Sequence, residues 1–196
     1  MASTPLLATL LALASALGCC WAADCQVDSI PVMKDFDKAR FVGQWFALAK
    51  KDPDGVFLQD NIRAKFTVKD GSMTATARGR VTIFSHWVVC ADMVGTFSDT
   101  DNPAKMKLKY WGLASYLARG RDDFWVVDTD YDSYAIMYSC RERADDGTCA
   151  NSYSIVFLRQ LKGMTPSMQR SIRLKQESLC LAGKYHIVEH TRTDVD

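Results

Sequence analysis

An all-β fold is what this sequence predicts: eight antiparallel strands running up and down around a closed β-barrel, with one C-terminal α-helix packed outside. Three observations carry that reading. Apolar and polar residues alternate with a period of two over much of the chain, the alternating segments are short and punctuated by Gly, Asp, Asn and Pro, and only one late stretch carries helical spacing with capping signals. On these grounds alone a β-sandwich is also compatible with the pattern.

The strands follow in order. The first spans Gln44–Lys50. In the second, Arg63–Val68, residues Ala64, Phe66 and Val68 share one face and polar residues the other. The turn Lys69-Asp70-Gly71 leads into Thr74–Val81, which repeats the pattern. Trp87–Phe97 comes next, then the turn Asp101-Asn102-Pro103. Lys105–Tyr110 is the clearest case, because Lys105, Lys107 and Lys109 alternate with Met106, Leu108 and Tyr110. Phe124–Asp128, Tyr134–Arg141 and Ser152–Arg159 complete the eight. The helix opens with Thr165 as N-cap and Pro166 at its first position, and is expected to run to about Leu181, before Gly183. Met168, Ile172 and Leu179 give it one apolar face.

The predicted inner face carries Ala64, Ala75, Ala77 and Gly79, small residues where a solid core calls for Leu or Ile. An eight-stranded barrel is either filled by its own side chains or holds one small ligand, and small inward residues favour the second.

Composition narrows the function. With Lys+Arg 24 against Asp+Glu 23, the formal charge of +1 gives no electrostatic drive toward nucleic acid or an anionic membrane. Residues 1–23 carry no charged side chain, and the apolar run Leu6–Leu17 ends in small residues. This reads as a secretory signal peptide, 1–22, cleaved after Ala22 to leave 23–196 as one secreted, extracellular domain. A lipid anchor on Cys19 is the competing reading. No later run is long and apolar enough to span a bilayer. Cleavage leaves Cys25, Cys90, Cys140, Cys149 and Cys180, an odd count that suits an oxidising compartment but leaves one thiol over. Cys140 and Cys149 flank the turn Asp145-Asp146-Gly147, so a bridge across that hairpin costs least.

Three short motifs occur in order: Gly43-Gln44-Trp45 at the first strand, Thr129-Asp130-Tyr131 at a strand end, and Arg159 closing the last strand. Together they resemble the three signature regions of the lipocalins, in which the Trp plugs the closed end and the Arg lies over it as a cation–π pair. Longer runs resemble the retinol-binding protein branch of that family: Phe36–Phe41, Lys50–Pro53, Phe57–Asn61, Cys90–Phe97 and Val127–Asp132. The resemblance covers Asp24 to about His186.

That resemblance implies a retinoid (retinol or retinal) carried inside the barrel, or another apolar isoprenoid or lipid. It places the ligand-binding positions on Val56 at the mouth and on Phe57, Leu58, Ala64, Phe66, Ala75, Ala77, Val81, Met93, Leu108, Tyr110, Met137 and Tyr153. The branch's polar positions near the mouth fall on Ala118, Phe124 and Met137, none of which hydrogen-bonds as Gln or His does. The resemblance also implies disulfides Cys25–Cys180 and Cys140–Cys149. The branch's partner for Cys90 lies beyond the helix, where this chain has no cysteine, so Cys90 is free or joins two chains. The rim that the branch offers to transthyretin falls on Ile83, Phe84, Trp87, Trp111, Tyr116 and Arg119; a cell-surface receptor is the other partner a rim of this kind suits.

Two kinds of chemistry compete with a carrier role. Some lipocalins are cysteine-dependent isomerases, but strand parity turns Cys90 outward if Met93 points inward, and no Lys, Arg or His lies within two residues of Cys90. His186 and His190 have the spacing of a helical metal pair, but they fall in a tail that reads as extended. The expectation is a carrier, not an enzyme, with neither cofactor nor metal.

Overall fold

The computed structural model describes residues 25–191 except 56, 84–85, 113–114 and 116–120. The leader 1–22 and, among the anticipated residues, Val56, Phe84, Tyr116, Ala118 and Arg119 lie outside the described residues.

All eight predicted strands are present: β1 (Gly43–Lys51), β2 (Asp60–Lys69), β3 (Ser72–Ile83), β4 (Trp87–Ser98), β5 (Lys105–Trp111), β6 (Arg121–Thr129), β7 (Tyr134–Arg143) and β8 (Cys149–Leu158). Each pairs antiparallel with the next. β1 bonds β2 over Gly43–Phe46 and β8 over Phe46–Lys51, so the sheet closes on itself. That double pairing decides for a barrel over a sandwich. A ninth strand, β9 (His186–Ile187), pairs with Ala49 and Lys50 of β1, beyond the stretch of β1 that pairs with β2.

Two apolar cores result. One fills the barrel and includes Trp45, Ala47, Phe66, Phe97, Phe124 and Phe157. The other joins the outer face of the barrel to helix α2 (Pro166–Ser178) and includes Ala49, Trp125, Ile136, Val156, Ile172 and Leu179. A register shift between Ala47 and Ala49 is what assigns these two alanines to different cores. Unbroken alternation would put both on one face; the bulge turns Ala49 outward.

Thr165 caps α2 through its hydroxyl, which accepts the Met168 N–H at 3.2 Å. The helix ends at Ser178, not near Leu181 as the sequence suggests. Cys180 holds a left-handed backbone (φ 56°) and is bridged to Cys25, so it takes the terminating position that Gly183 was expected to mark. A one-turn helix, α1 (Lys38–Phe41), was also not foreseen; four residues are too few for periodicity to show. It is capped by the Asp37 carboxylate, which accepts from the N–H groups of Ala39 and Arg40.

Candidate functional site

The barrel is sealed at the end where β1 begins and β8 finishes. Trp45 is fully buried, and its indole N–H donates to the Phe41 carbonyl at 2.9 Å. The Arg159 guanidinium lies 3.7 Å from the Trp45 ring centroid. Arg159 also donates to three carbonyls, Tyr131 at 2.9 Å, Gln44 at 3.1 Å and Arg40 at 3.3 Å. One side chain thereby ties together β1, α1 and the β6–β7 turn. Gly43 is required here: its φ is +101°, and a Cβ would stand 2.9 Å from Arg159 Nη1. In the turn, the Asp130 carboxylate accepts the N–H groups of Asp132, Ser133 and Tyr134, and Thr129 donates to the Tyr134 carbonyl. Tyr131 accepts the Asp37 N–H through its hydroxyl. The motif residues Gly43, Trp45, Thr129, Asp130, Tyr131 and Arg159 thus form one lid.

Above that lid lies an apolar cavity. β2 supplies Ile62, Ala64 and Phe66, β3 supplies Ala75 and Ala77, and β4 supplies Met93, Gly95 and Phe97. Leu108 and Tyr110 of β5, Phe124 of β6, Met137 of β7 and Tyr153, Ile155 and Phe157 of β8 complete the wall, with Phe57 and Leu58 from the loop after β1. The space not taken by atoms is about 620 Å³ counting the part open to solvent, but it is narrow, and the cavity proper is about 80 Å³. The smaller figure measures what a rigid wall admits. Pockets for drug-sized ligands run at about 300–1,000 Å³, so a twenty-carbon chain enters only if flexible side chains such as Met93, Leu108 and Phe57 turn aside. The interior is therefore less hollow than its alanines suggest, because Phe66, Phe97 and Phe124 lean into it, with ring centroids 4.9–5.9 Å apart.

Of the thirteen anticipated ligand positions, eleven stand on this wall. Val56 is outside the described residues. Val81 is buried on β3 opposite Val89 but does not reach the cavity. Gly79 was expected to enlarge the hollow and does not: a Cβ there would come 3.1 Å from the Asp60 carbonyl and 3.2 Å from Ile62, so the glycine makes room for the incoming β2 chain instead. Phe124, which the resemblance placed near the mouth, also stands on the wall, and sequence reading missed Ile62, Gly95, Phe97, Ile155 and Phe157. Their signal was present, since each lies in a strand with the parity of a residue already placed inside, apart from Ile62, which lies beyond the alternating run chosen for β2.

The open end is built differently. The hydroxyls of Tyr110 and Tyr153 are 3.1 Å apart, and Tyr153 donates to Asp122 at 3.4 Å. Asp122, itself buried, accepts from Arg141 Nη2 at 2.9 Å and Nε at 3.0 Å. The Arg141 guanidinium lies over the Tyr153 ring at 4.9 Å, and Phe57 packs on that ring at 5.3 Å. Burial pushes the Tyr110 phenol up to about 12, with the Asp122 charge adding to it, and raises that of Tyr153 in the same way. The two hydroxyls are spent on this network, so the tyrosines give the cavity mainly their rings. No residue pair in this wall combines a nucleophile with a base. Beyond the mouth, Trp87 is 65% exposed and Trp111 48%, whereas Ile83 is half-buried; the other anticipated rim residues, Phe84, Tyr116 and Arg119, lie outside the described residues.

Cys25–Cys180 and Cys140–Cys149 are bridged, and Cys90 is a free, exposed thiol. It stands outside the barrel while Met93 stands inside, as parity requires. His186 faces Asp52 at 3.3 Å and His190 meets the Ala47 carbonyl at 2.7 Å, so the two imidazoles serve different partners. Among the described residues no cluster of His, Cys, Asp and Glu could hold a metal ion, and no helix is long and apolar enough to cross a membrane.

Comparison with known proteins gives the same picture at higher resolution of kinship. Residues 42–170 match the family described as Lipocalin / cytosolic fatty-acid binding protein family. The chain is 60% identical to retinol-binding protein 4 of Rattus norvegicus over 168 residues, covering 85% of this chain and 84% of that protein. It is 58% identical to retinol-binding protein 4 of Gallus gallus over 168 residues, at 85% and 86% coverage. Purpurin of Gallus gallus is 52% identical over 170 residues, at 85% and 87%. Among solved structures, apocrustacyanin C1 superimposes with a TM-score of 0.64 at 12% identity, covering 80% of this chain and 81% of its own, a likeness of fold alone.

Proposed function

The chain belongs to the lipocalin family, and from that premise we propose that it is a secreted carrier holding a retinoid in its barrel, with no chemistry of its own. The observation that carries the reading is the single-ended apolar cavity, floored by the Trp45–Arg159 lid and walled by Ala64, Ala75, Ala77 and five phenylalanines. Relatives named for retinol binding share more than half of its residues over most of the chain.

The cargo's ring belongs at the phenylalanine-lined closed end and its polar terminus at the mouth, where Tyr110, Tyr153, Asp122 and Arg141 cluster. Because Phe124 and Met137 occupy the wall and the tyrosine hydroxyls bond each other, the cavity holds its ligand by apolar contact. Burying a methylene is worth about 0.8 kcal/mol, so roughly ten suffice for micromolar binding without a directed hydrogen bond. Retinol and retinal should then bind with similar affinity. Secretion rests on the leader 1–22 and on the two disulfides, which suit an oxidising compartment. The exposed Trp87 and Trp111 are the proposed docking point for transthyretin or a receptor.

Native mass spectrometry of protein from its natural source, paired with fluorescence titration of the stripped protein with retinol, tests the reading. A bound retinoid and saturable one-to-one quenching are expected. A different passenger together with no saturable retinol binding overturns it.

A further inference from the structure

Lys50 stands inside the barrel, a consequence of the bulge in β1. Trp45 and Ala47 face inward, and unbroken alternation would then turn residue 50 out; the shift before Ala49 resets the parity and turns it in. Its register partner on β8 is Ile155, a residue of the cavity wall. Lys50 is 1% exposed, and lysines are almost never so buried unless paired. Its ammonium lies 2.5 Å from Asp52 Oδ1, and Asp52 also faces His186 at 3.3 Å. The Asp52 side chain is 35% exposed, so this ion pair alone does not require the lysine to be buried. Among the described residues that carboxylate is the ammonium's one hydrogen-bond partner, and an ammonium has three N–H groups to place. Buried donors without an acceptor are costly, so the position calls for a further partner.

The position is at the mouth. Lys50 Nζ is 5.6 Å from the centre of the Phe57 ring, Phe57 packs on Tyr153, and both aromatics line the cavity. Phe57 is one of the side chains that must turn aside to admit a twenty-carbon chain. On the other side, β9 pairs with Lys50 through His186, and the segment beyond it runs on to β2, where the Glu189 carbonyl accepts the Asn61 N–H at 2.8 Å. The C-terminal segment thereby covers the part of β1 that β2 leaves unpaired, and the mouth is the approach to Lys50.

We propose that Lys50 is a reversible covalent attachment site for an aldehyde-ended apolar cargo, with Asp52 as proton acceptor and then counter-ion. This rests on the carrier reading above and adds one bond to it: with retinal as cargo, the polyene is tethered as a protonated imine once Phe57 has turned aside. Asp52 takes one proton from the ammonium, and the freed nitrogen pair attacks the aldehyde carbon while the carbonyl π pair moves to oxygen. That oxygen takes a second proton from the nitrogen, then the one held by Asp52, and departs as water through the mouth. The nitrogen keeps one hydrogen and the positive charge in the new C=N bond, beside the restored carboxylate. Nothing is oxidised or reduced, and hydrolysis returns the cargo unaltered, so the protein remains a carrier.

The test titrates the stripped protein with retinal, followed by fluorescence quenching, and then adds cyanoborohydride, which reduces imines and spares the aldehyde. The adduct is located by peptide mass spectrometry. Saturable quenching, an absorbance band at longer wavelength than that of free retinal, and one retinyl group per chain on Lys50 are expected. Excess retinol should suppress the adduct by filling the same cavity, and form none itself. Lys50→Met should lose the adduct and the shifted band, still quench, and release retinal about tenfold faster, a change in off-rate. Lys50→Arg keeps a cation for Asp52 and should lose the adduct in the same way. Saturable quenching without an adduct on Lys50 overturns the attachment and leaves the carrier reading standing, as does an adduct spread evenly over the exposed lysines. Neither quenching nor adduct overturns both. The site of attachment is read on the parent protein, so the outcome does not depend on how either variant folds.

Discussion

The two ends of the barrel solve opposite problems with similar residues. At the closed end an arginine lies on an aromatic ring and its remaining donors go to backbone carbonyls of three different segments. At the open end Arg141 also lies over an aromatic ring, but its donors go to one carboxylate, Asp122, within the same wall. The first arrangement couples distant parts of the chain; the second only organises local side chains. A seal needs the former, and a mouth that must admit cargo needs the latter.

The largest expected effect breaks the closed end. Trp45→Ala removes a fully buried indole and its bond to Phe41, and should destabilise the protein by about 3–5 kcal/mol, read from the midpoint of chemical unfolding. If the same variant unfolds like the parent, the lid is not a keystone. Next comes Ala75→Trp, which inserts a ring into a cavity of only about 80 Å³. Retinol affinity should fall by at least about tenfold while the fold remains measurable, because overpacking costs about 1–3 kcal/mol; unchanged titration curves would remove Ala75 from the site.

A smaller effect is expected at the mouth. Tyr153→Phe deletes the hydroxyl shared by Tyr110 and Asp122 and should cost about 1 kcal/mol of stability, well below the Trp45 variant. The smallest is a pH effect. The Tyr110 phenol is pushed up to about 12 in the folded protein, whereas an unfolded tyrosine titrates near 10. The folded state therefore favours the protonated phenol. Its contribution is intact below about pH 10 and is lost as pH climbs toward 12. Ultraviolet titration of the tyrosines should show this late group in the parent and not in Tyr110→Phe.

Strand positions were legible because half-buried antiparallel strands must alternate. Lys105 to Tyr110 could be placed inside and out without any knowledge of neighbours, and the eight segments found this way are the eight that pair. Most of the cavity wall followed from the same parity together with the family likeness. Alternation carries no count of how far a side chain reaches, however. Thus Gly79 and Ala75 look equivalent in the sequence, yet one packs under the β2 chain and the other faces open space. The bulge at Ala47–Ala49 was equally invisible, since it depends on which strands bracket β1.

By itself the sequence determined the strand positions, the inward and outward faces and the helix start at Thr165, all of which are set by local spacing and chemistry, while the residues of the lid followed from the resemblance of its motifs to the lipocalins. Only the tertiary structure decided the free volume of the interior, the Tyr110–Tyr153–Asp122–Arg141 network and the path of the C-terminal segment onto Asn61. Those depend on distances between residues far apart in the chain, and such distances come into being only when the sheet closes.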